Sequence, residues 1–166
     1  MTFKEDITVM IQKQKELDQL MFTKAELKEY PLDKVNCALF CELGELMQEL
    51  QTEFKYWKKS AVNNIEKALE EYVDCLHFLL SLYISENNNA DGFIMIEYDG
   101  IMSERYYNMY SPIRLPLMVG DMYEPIRTRL AKLWAIGKHL NFTWEQIYEA
   151  YMKKNAVNIE RAKGDY

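Results

Sequence analysis

Apolar residues recur along most of the chain at intervals of three and four positions, the spacing that places them on one face of an α-helix. The pattern predicts a first helix from Phe3 to about Phe22. Thr2 is placed to act as its N-cap, and Glu5 follows three positions later, as in a capping box. The pattern contains no internal repeat.

Two long helices are predicted next. The first begins after Pro31 and is expected to continue to about Phe54. The second begins with Ser60 or Asn63 as its N-cap and ends at the polar run 86–89. Only the residues between Phe54 and Ser60 or Asn63 connect the two helices, so we expect the helices to be antiparallel neighbours.

The helical period is lost in the segment 90–118, where Asp-Gly pairs and prolines interrupt an aromatic-rich stretch. We expect an irregular insertion there, with one short helix around Met102–Tyr110. The period returns over 120–137 and resumes with Thr143 as N-cap and Gln146 at the capping-box position. The predicted fold is therefore all-α, an antiparallel helical bundle with a four-helix core and an irregular insertion.

Composition agrees with one folded domain over 1–166. Of the 166 residues, 49% are hydrophobic and only 6 are glycine and 4 proline, which excludes disordered and collagen-like chains. The net charge of −6 disfavours a binder of duplex nucleic acid, which needs a basic surface to displace counterions.

The apolar runs, the first segment and the cysteines of the sequence indicate where in the cell the protein is expected. No run approaches the roughly 18 to 20 apolar residues that span a bilayer, so no membrane association is expected. The segment Met1–Ile11 is charged throughout and has no apolar stretch of the secretory kind. Three cysteines, an odd number, do not suggest a disulfide framework. We therefore expect a cytoplasmic protein.

Two pairs of carboxylates stand out on the predicted helices. Glu42 and Glu45 lie three positions apart on one helix, and Glu71 and Asp74 lie three positions apart on the next. On antiparallel neighbours the two pairs can face each other, where like charges repel unless a cation lies between them. Because oxygen ligands without thiolate or imidazole select hard cations, we expect Mg²⁺, with Mn²⁺ as the alternative, and hence phosphoryl chemistry.

These motifs resemble the all-α nucleoside triphosphate pyrophosphohydrolases (the MazG-like superfamily) and, within them, the dimeric dUTPases. The resemblance covers about 14–166 and is carried by the following motifs: Glu42-x-x-Glu45, Glu71-x-x-Asp74, Lys154-x-x-x-Asn158-x-x-Arg161 and Phe54-Lys55-Tyr56-Trp57. It implies hydrolysis of dUTP to dUMP and diphosphate by a homodimer.

The resemblance also implies roles for individual residues. The residues expected to bind magnesium are Glu42, Glu45, Glu71 and Asp74, and one of the first two would activate the attacking water. The residues expected to bind phosphate are Lys154, Asn158 and Arg161. Independently of the resemblance, the seven-residue interval from Lys154 to Arg161 places both cations on one helix face, with Asn158 between them.

Recognition of the base and sugar is the next expectation. In the dimeric dUTPases a glutamine on the first helix reads the uracil edge, which implies Gln14, or otherwise Gln12. Trp57 is a candidate to close over the base, although an ordinary core tryptophan fits its local pattern equally well. His77 follows Asp74 by three positions and is a candidate sugar contact, with a core histidine as the alternative.

Other classes of protein remain as alternatives. The same metal scaffold serves dCTPases, enzymes that accept both dCTP and dUTP, and broader house-cleaning pyrophosphatases. A di-iron bundle is disfavoured because Ile136 stands three positions before His139, where a second carboxylate would be needed. A non-enzymatic helical protein is the alternative of another class, with the region 90–123 as the surface for a protein partner.

Overall fold

The computed structural model describes residues 3–87 and 102–164, with side chains described from Asp6 onward. Over these residues the chain forms helices and no strand, so the all-α prediction is confirmed. The helices are α1 (Phe3–Lys24), α2 (Leu32–Glu49), α3 (Gln51–Phe54), α4 (Ile65–Glu86), α5 (102–109), α6 (Arg114–Val119), α7 (Ile126–His139) and α8 (Trp144–Lys163).

The longest described helices surround a shared apolar core. α4 is central, because it packs against α1, α2, α7 and α8, and α1 also packs along α8. Leu39 and Leu46 of α2 and Leu76 and Leu80 of α4 are fully buried between these helices. Burying such side chains contributes roughly 1.5–3 kcal/mol each, so these positions fix how the helices are rotated toward one another.

The junction between α2 and α4 differs from its prediction. α2 ends at Glu49 instead of continuing to Phe54, because fully buried Leu50 leaves helical geometry and pairs with Asn63 in an isolated antiparallel bridge. The N-cap of α4 is Asn64, whose side chain accepts a hydrogen bond from the backbone N–H of Lys67. The bridge brings the end of α2 beside the start of α4, which makes the two helices antiparallel.

The prediction for the start of α8 is confirmed. The Thr143 hydroxyl accepts from the backbone N–H of Gln146 at 3.2 Å, and the Gln146 side chain accepts from the backbone N–H of Thr143 at 2.9 Å. This reciprocal capping box satisfies two of the unpaired N–H groups at the helix start. It fixes where the helix that carries Lys154 begins.

The described part of the segment that was predicted to be irregular, residues 102–118, is more helical than predicted. The short helix expected around residues 102–110 is present as α5, and α6 was not predicted at all. α6 tolerates Pro116 because that residue lies in its first turn, and it buries Leu115 and Val119. The part of the predicted irregular segment between 90 and 101, and the predicted cap Thr2, lie outside the described residues. None of the described helices has the length and apolarity needed to cross a bilayer.

Candidate active site

Three of the predicted metal ligands meet where α2 packs against α4. One carboxylate oxygen from each of Glu42, Glu45 and Glu71 lies within 4.8 Å of the other two. Glu42 and Glu71 are half-buried, and Glu45 is exposed. Three hard oxygen donors at this spacing fit a divalent cation of the magnesium type, whose remaining ligands would be water or phosphate oxygens. We call these three residues the carboxylate cluster.

None of the described cations forms an ion pair with the carboxylate cluster, although the charge of Lys154 acts on Glu42 and Glu71 from a distance. The pKa of Glu42 is raised to about 7, first by burial and then by the negative charges of Asp74, Glu45 and Glu71. Burial and the same kind of repulsion raise the pKa of Glu71. Because a cation between these groups would reverse the repulsion, the electrostatics agree with the chemistry of the donor set.

The fourth predicted ligand, Asp74, is placed differently from the other three. Its Oδ2 accepts a hydrogen bond from Lys154 Nζ at 2.5 Å, so an ion pair joins α4 to α8. Burial raises the pKa of Asp74, and the Lys154 ammonium opposes that shift. The carboxylate of Asp74 is therefore shared between the acidic helices and the basic face of α8.

A cavity of about 320 Å³ lies between α1, α2, α4 and α8. Seven of the residues predicted from the sequence line it: Gln14, Glu42, Asp74, His77, Lys154, Asn158 and Arg161. Glu45 and Glu71 adjoin the cavity through Glu42, with which they form the carboxylate cluster. Acidic, basic and amide side chains that are distant in sequence thus converge on one space large enough for a small ligand.

Trp57 is a predicted site residue that neither lines the cavity nor belongs to the carboxylate cluster. Its side chain is 64% exposed and packs edge-on against the rings of Phe54 and Tyr56, with centroid distances of 6.1 and 5.1 Å. It is not a core tryptophan either. Tyr56 beside it is more exposed still, so the two rings form an apolar protrusion after α3.

A buried polar network lies at the α1 side of the cavity. Gln14 Nε2 donates to Asp18 Oδ1 at 2.7 Å, and Gln14 Oε1 lies 2.8 Å from His77 Nδ1 and 2.9 Å from the Tyr151 hydroxyl. His77 stacks on the Tyr151 ring with 4.1 Å between centroids. Burial, and secondarily the positive charge of Lys154, lower the pKa of His77 to about 3, so the imidazole is neutral.

Sequence reasoning did not assign seven other residues that line the cavity, among them Asp18 and Phe78. Asp18 lies one helical turn after Gln14, and Phe78 lies one turn after Asp74. That spacing is the signal that would have found them. Asn155, which neighbours the predicted phosphate residues, is buried and donates to the Lys13 carbonyl at 3.3 Å, so it ties α8 to α1 instead.

Comparison with known proteins agrees with this geometry. No curated protein matches the chain. The family model described as dUTPase matches residues 6–166, which include every residue of the site. The family assignment implies a requirement for a divalent metal, and the carboxylate cluster has the donor atoms to hold one. The chain therefore belongs to the dUTPase family, and it is an enzyme that hydrolyses dUTP.

Proposed function

We propose that the cavity binds dUTP with Mg²⁺ and that the enzyme hydrolyses it to dUMP and diphosphate. The observation that carries the proposal is the convergence of the carboxylate cluster and the cationic face of α8 on one cavity. A triphosphate with its metal is the ligand that needs both features at once. Mn²⁺ has similar ligand preferences and is the alternative metal.

The carboxylates have two tasks in this proposal. Glu42, Glu45 and Glu71, together with Asp74, hold Mg²⁺, which when bound polarises the phosphate oxygens and neutralises the charge that develops on them. Glu42 or Glu45 orients the attacking water and accepts its proton. The apolar side chains of Leu17 and Phe78 in the cavity wall limit the access of bulk water.

Lys154, Asn158 and Arg161 bind the phosphate oxygens that the metal does not contact. Lys154 supplies a point charge and Arg161 a planar fork, which suit different phosphate geometries. Lys154 also forms an ion pair with Asp74, which a phosphate contact of Lys154 would replace. Gln14 and His77 are left for the base and sugar.

We further propose that the enzyme acts as a homodimer. The exposed rings of Tyr56 and Trp57 suit burial against a second copy, where Trp57 could contact the partner's nucleotide. This would reconcile the sequence-based role of Trp57 with its distance from the cavity of its own chain.

The test is to incubate the purified protein with Mg²⁺ and, separately, dUTP, dCTP, dTTP, dATP, dGTP and UTP, measuring diphosphate and monophosphate. EDTA and the variant Glu71→Gln should abolish release, whereas Glu70→Gln, one position away and outside the carboxylate cluster, should not. Release from dUTP alone is expected. Equal release from dCTP would indicate the dual-specificity relative, and no release from any nucleotide would contradict the proposal.

A further inference from the structure

The amide of Gln14 has only one orientation compatible with its neighbours. Gln14 is 3% exposed and is held between the Asp18 carboxylate on one side and His77 and Tyr151 on the other. An ionised carboxylate only accepts hydrogen bonds, so the amide nitrogen must face Asp18. The amide oxygen must then face His77 and the Tyr151 hydroxyl.

This orientation decides the tautomer of His77. Because the Gln14 oxygen can only accept, the nitrogen 2.8 Å from it, Nδ1, must carry the proton. A neutral imidazole has one ring proton, so Nε2 keeps a lone pair and can only accept. Nε2 is buried and has no hydrogen-bond partner among the described residues, and His77 lines the cavity. An unpaired buried acceptor is costly, so a ligand N–H that reaches Nε2 would be favoured.

Gln14 presents the complementary group. Its amide nitrogen carries two hydrogens, and Asp18 accepts one of them. The second N–H remains as a donor in a side chain that also lines the cavity. Gln14 and His77 together therefore present one donor and one acceptor.

We propose that Asp18 is a positioning residue that, through Gln14, holds His77 in the Nδ1–H tautomer and so makes the donor and acceptor of this pair complementary to a uracil edge. Uracil offers the O4 acceptor beside the N3–H donor, which matches a Gln14 N–H and His77 Nε2. Cytosine offers the reverse, an N4 amino donor beside an N3 acceptor. The inference rests on the proposed function, since it assigns the base specificity of the same cavity.

The first test reads the tautomer without substrate. The protein has only two histidines, so ¹⁵N-labelled imidazoles give two sets of signals, and His139→Gln identifies those of His77. At pH 8 the wild type is expected to show a protonated Nδ1 and an unprotonated Nε2. Asp18→Asn, whose amide can accept or donate, should populate the Nε2–H tautomer. A wild-type Nε2–H tautomer, or an unchanged spectrum in Asp18→Asn, would overturn the proposal.

The second test reads specificity. For Asp18→Asn we expect the ratio of kcat/KM for dUTP over dCTP to fall about tenfold or more. The reason is that the Nε2–H tautomer turns the His77 acceptor into a donor, which no longer matches the N3–H of uracil. The ratio for dUTP over dTTP should stay within about twofold, because thymine has the same O4 and N3–H edge. Asp33→Asn, the same change at an exposed position of α2, is the matched control and should change neither ratio.

The outcomes separate this inference from the proposed function. If the wild type hydrolyses no nucleotide, the proposed function fails, while the tautomer measurement still tests the role of Asp18. The positioning role is wrong if the wild type hydrolyses dUTP but Asp18→Asn keeps the wild-type ratio of kcat/KM for dUTP over dCTP. It is also wrong if the ratio for dUTP over dTTP falls as much as the ratio for dUTP over dCTP. Should Asp18→Asn not fold, Asp18→Glu serves instead. It retains the carboxylate and is expected to preserve the Nδ1–H tautomer, and a change of tautomer in Asp18→Glu would count against the proposal.

Discussion

Charged side chains are withdrawn from water in two regions of this protein, and the regions treat them differently. On α7, Arg129 donates to the Val119 carbonyl at 2.7 Å and to Asn36 Oδ1 at 2.8 Å, leaving only Nη2 without a partner among the described residues. Buried Lys132 pairs with Glu124 at 3.1 Å. These cations are held by complementary groups of the chain itself.

The carboxylate cluster shows the opposite arrangement. Glu42, Glu45 and Glu71 approach one another with like charge, and the nearby cation Lys154 is paired with Asp74. Burial, and then the repulsion between these carboxylates, raises the pKa of Glu42 and Glu71. A region whose charges are paired internally serves stability, whereas a region left with unbalanced charge is built for a ligand that the chain does not supply.

The largest expected effect is on activity. Glu42→Gln, Glu71→Gln and Asp74→Asn should each lower kcat/KM for dUTP by at least about 100-fold, because each removes an anionic oxygen at the reacting phosphates. Diphosphate release measures this loss. Thermal melting followed by circular dichroism should show that the two glutamine variants are no less stable than the wild type, since like-charge repulsion is relieved. Full activity in any of the three would remove that residue from the proposed metal site.

Substitution of a paired cation should have the opposite effect, a loss of stability with little change in activity. Arg129→Met is expected to lower the free energy of unfolding by about 2–3 kcal/mol, because the Val119 carbonyl and the Asn36 side chain lose a charged donor. Urea denaturation measures the loss, and kcat per folded molecule should stay within about threefold. Arg127→Met, on the same helix but partly exposed, should change stability by less than about 0.5 kcal/mol. Equal losses in the two variants would contradict the distinction.

Asp18 sharpens the comparison because it is a carboxylate of the cavity whose ionisation opposes folding. Burial raises its pKa to about 6 from 3.8, and the hydrogen bond from Gln14 only partly opposes the shift. The folded protein therefore holds the proton more tightly than the unfolded chain, and stability is lost as the pH rises from about 4 to 6.

Asp18→Asn should remove this dependence. Above pH 6 the variant is expected to gain up to about 3 kcal/mol in the free energy of unfolding, a gain that disappears below about pH 4. Urea denaturation of both proteins at pH 4, 5, 6 and 8 measures the difference. A gain of the same size at pH 4 would show that it does not come from the ionisation of Asp18.

The smallest effects concern packing in the same two regions. An alanine Cβ at Gly137 on α7 would lie 2.8 Å from the buried Tyr72 hydroxyl, so Gly137→Ala should cost about 1–3 kcal/mol. At Gly44, between the glutamates of α2, nothing lies within 4 Å, so Gly44→Ala should gain up to about 1 kcal/mol from helix propensity. Thermal melts compare the two, and a destabilised Gly44→Ala would show hidden crowding beside the carboxylate cluster.

Much of the site followed from local spacing. Pairs of residues three or four positions apart share a helix face whatever the helix packs against, so the meeting of Glu42 and Glu45 with Glu71 needed only two antiparallel helices. The capping box at Thr143 is likewise complete within four residues. Features of this kind depend on backbone periodicity, which the order of residues alone determines.

The tertiary structure decided the contacts between residues that lie far apart in the chain. The pairing of Asp74 with Lys154 spans 80 positions, and the contact of Gln14 with His77 spans 63. The exposure of Trp57 and the break at Leu50 also depend on how α2 and α4 meet. Such contacts depend on the relative rotation and translation of whole helices, which the summed burial of the core sets. The sequence therefore determined which chemical groups the helices carry, and packing decided which of them meet.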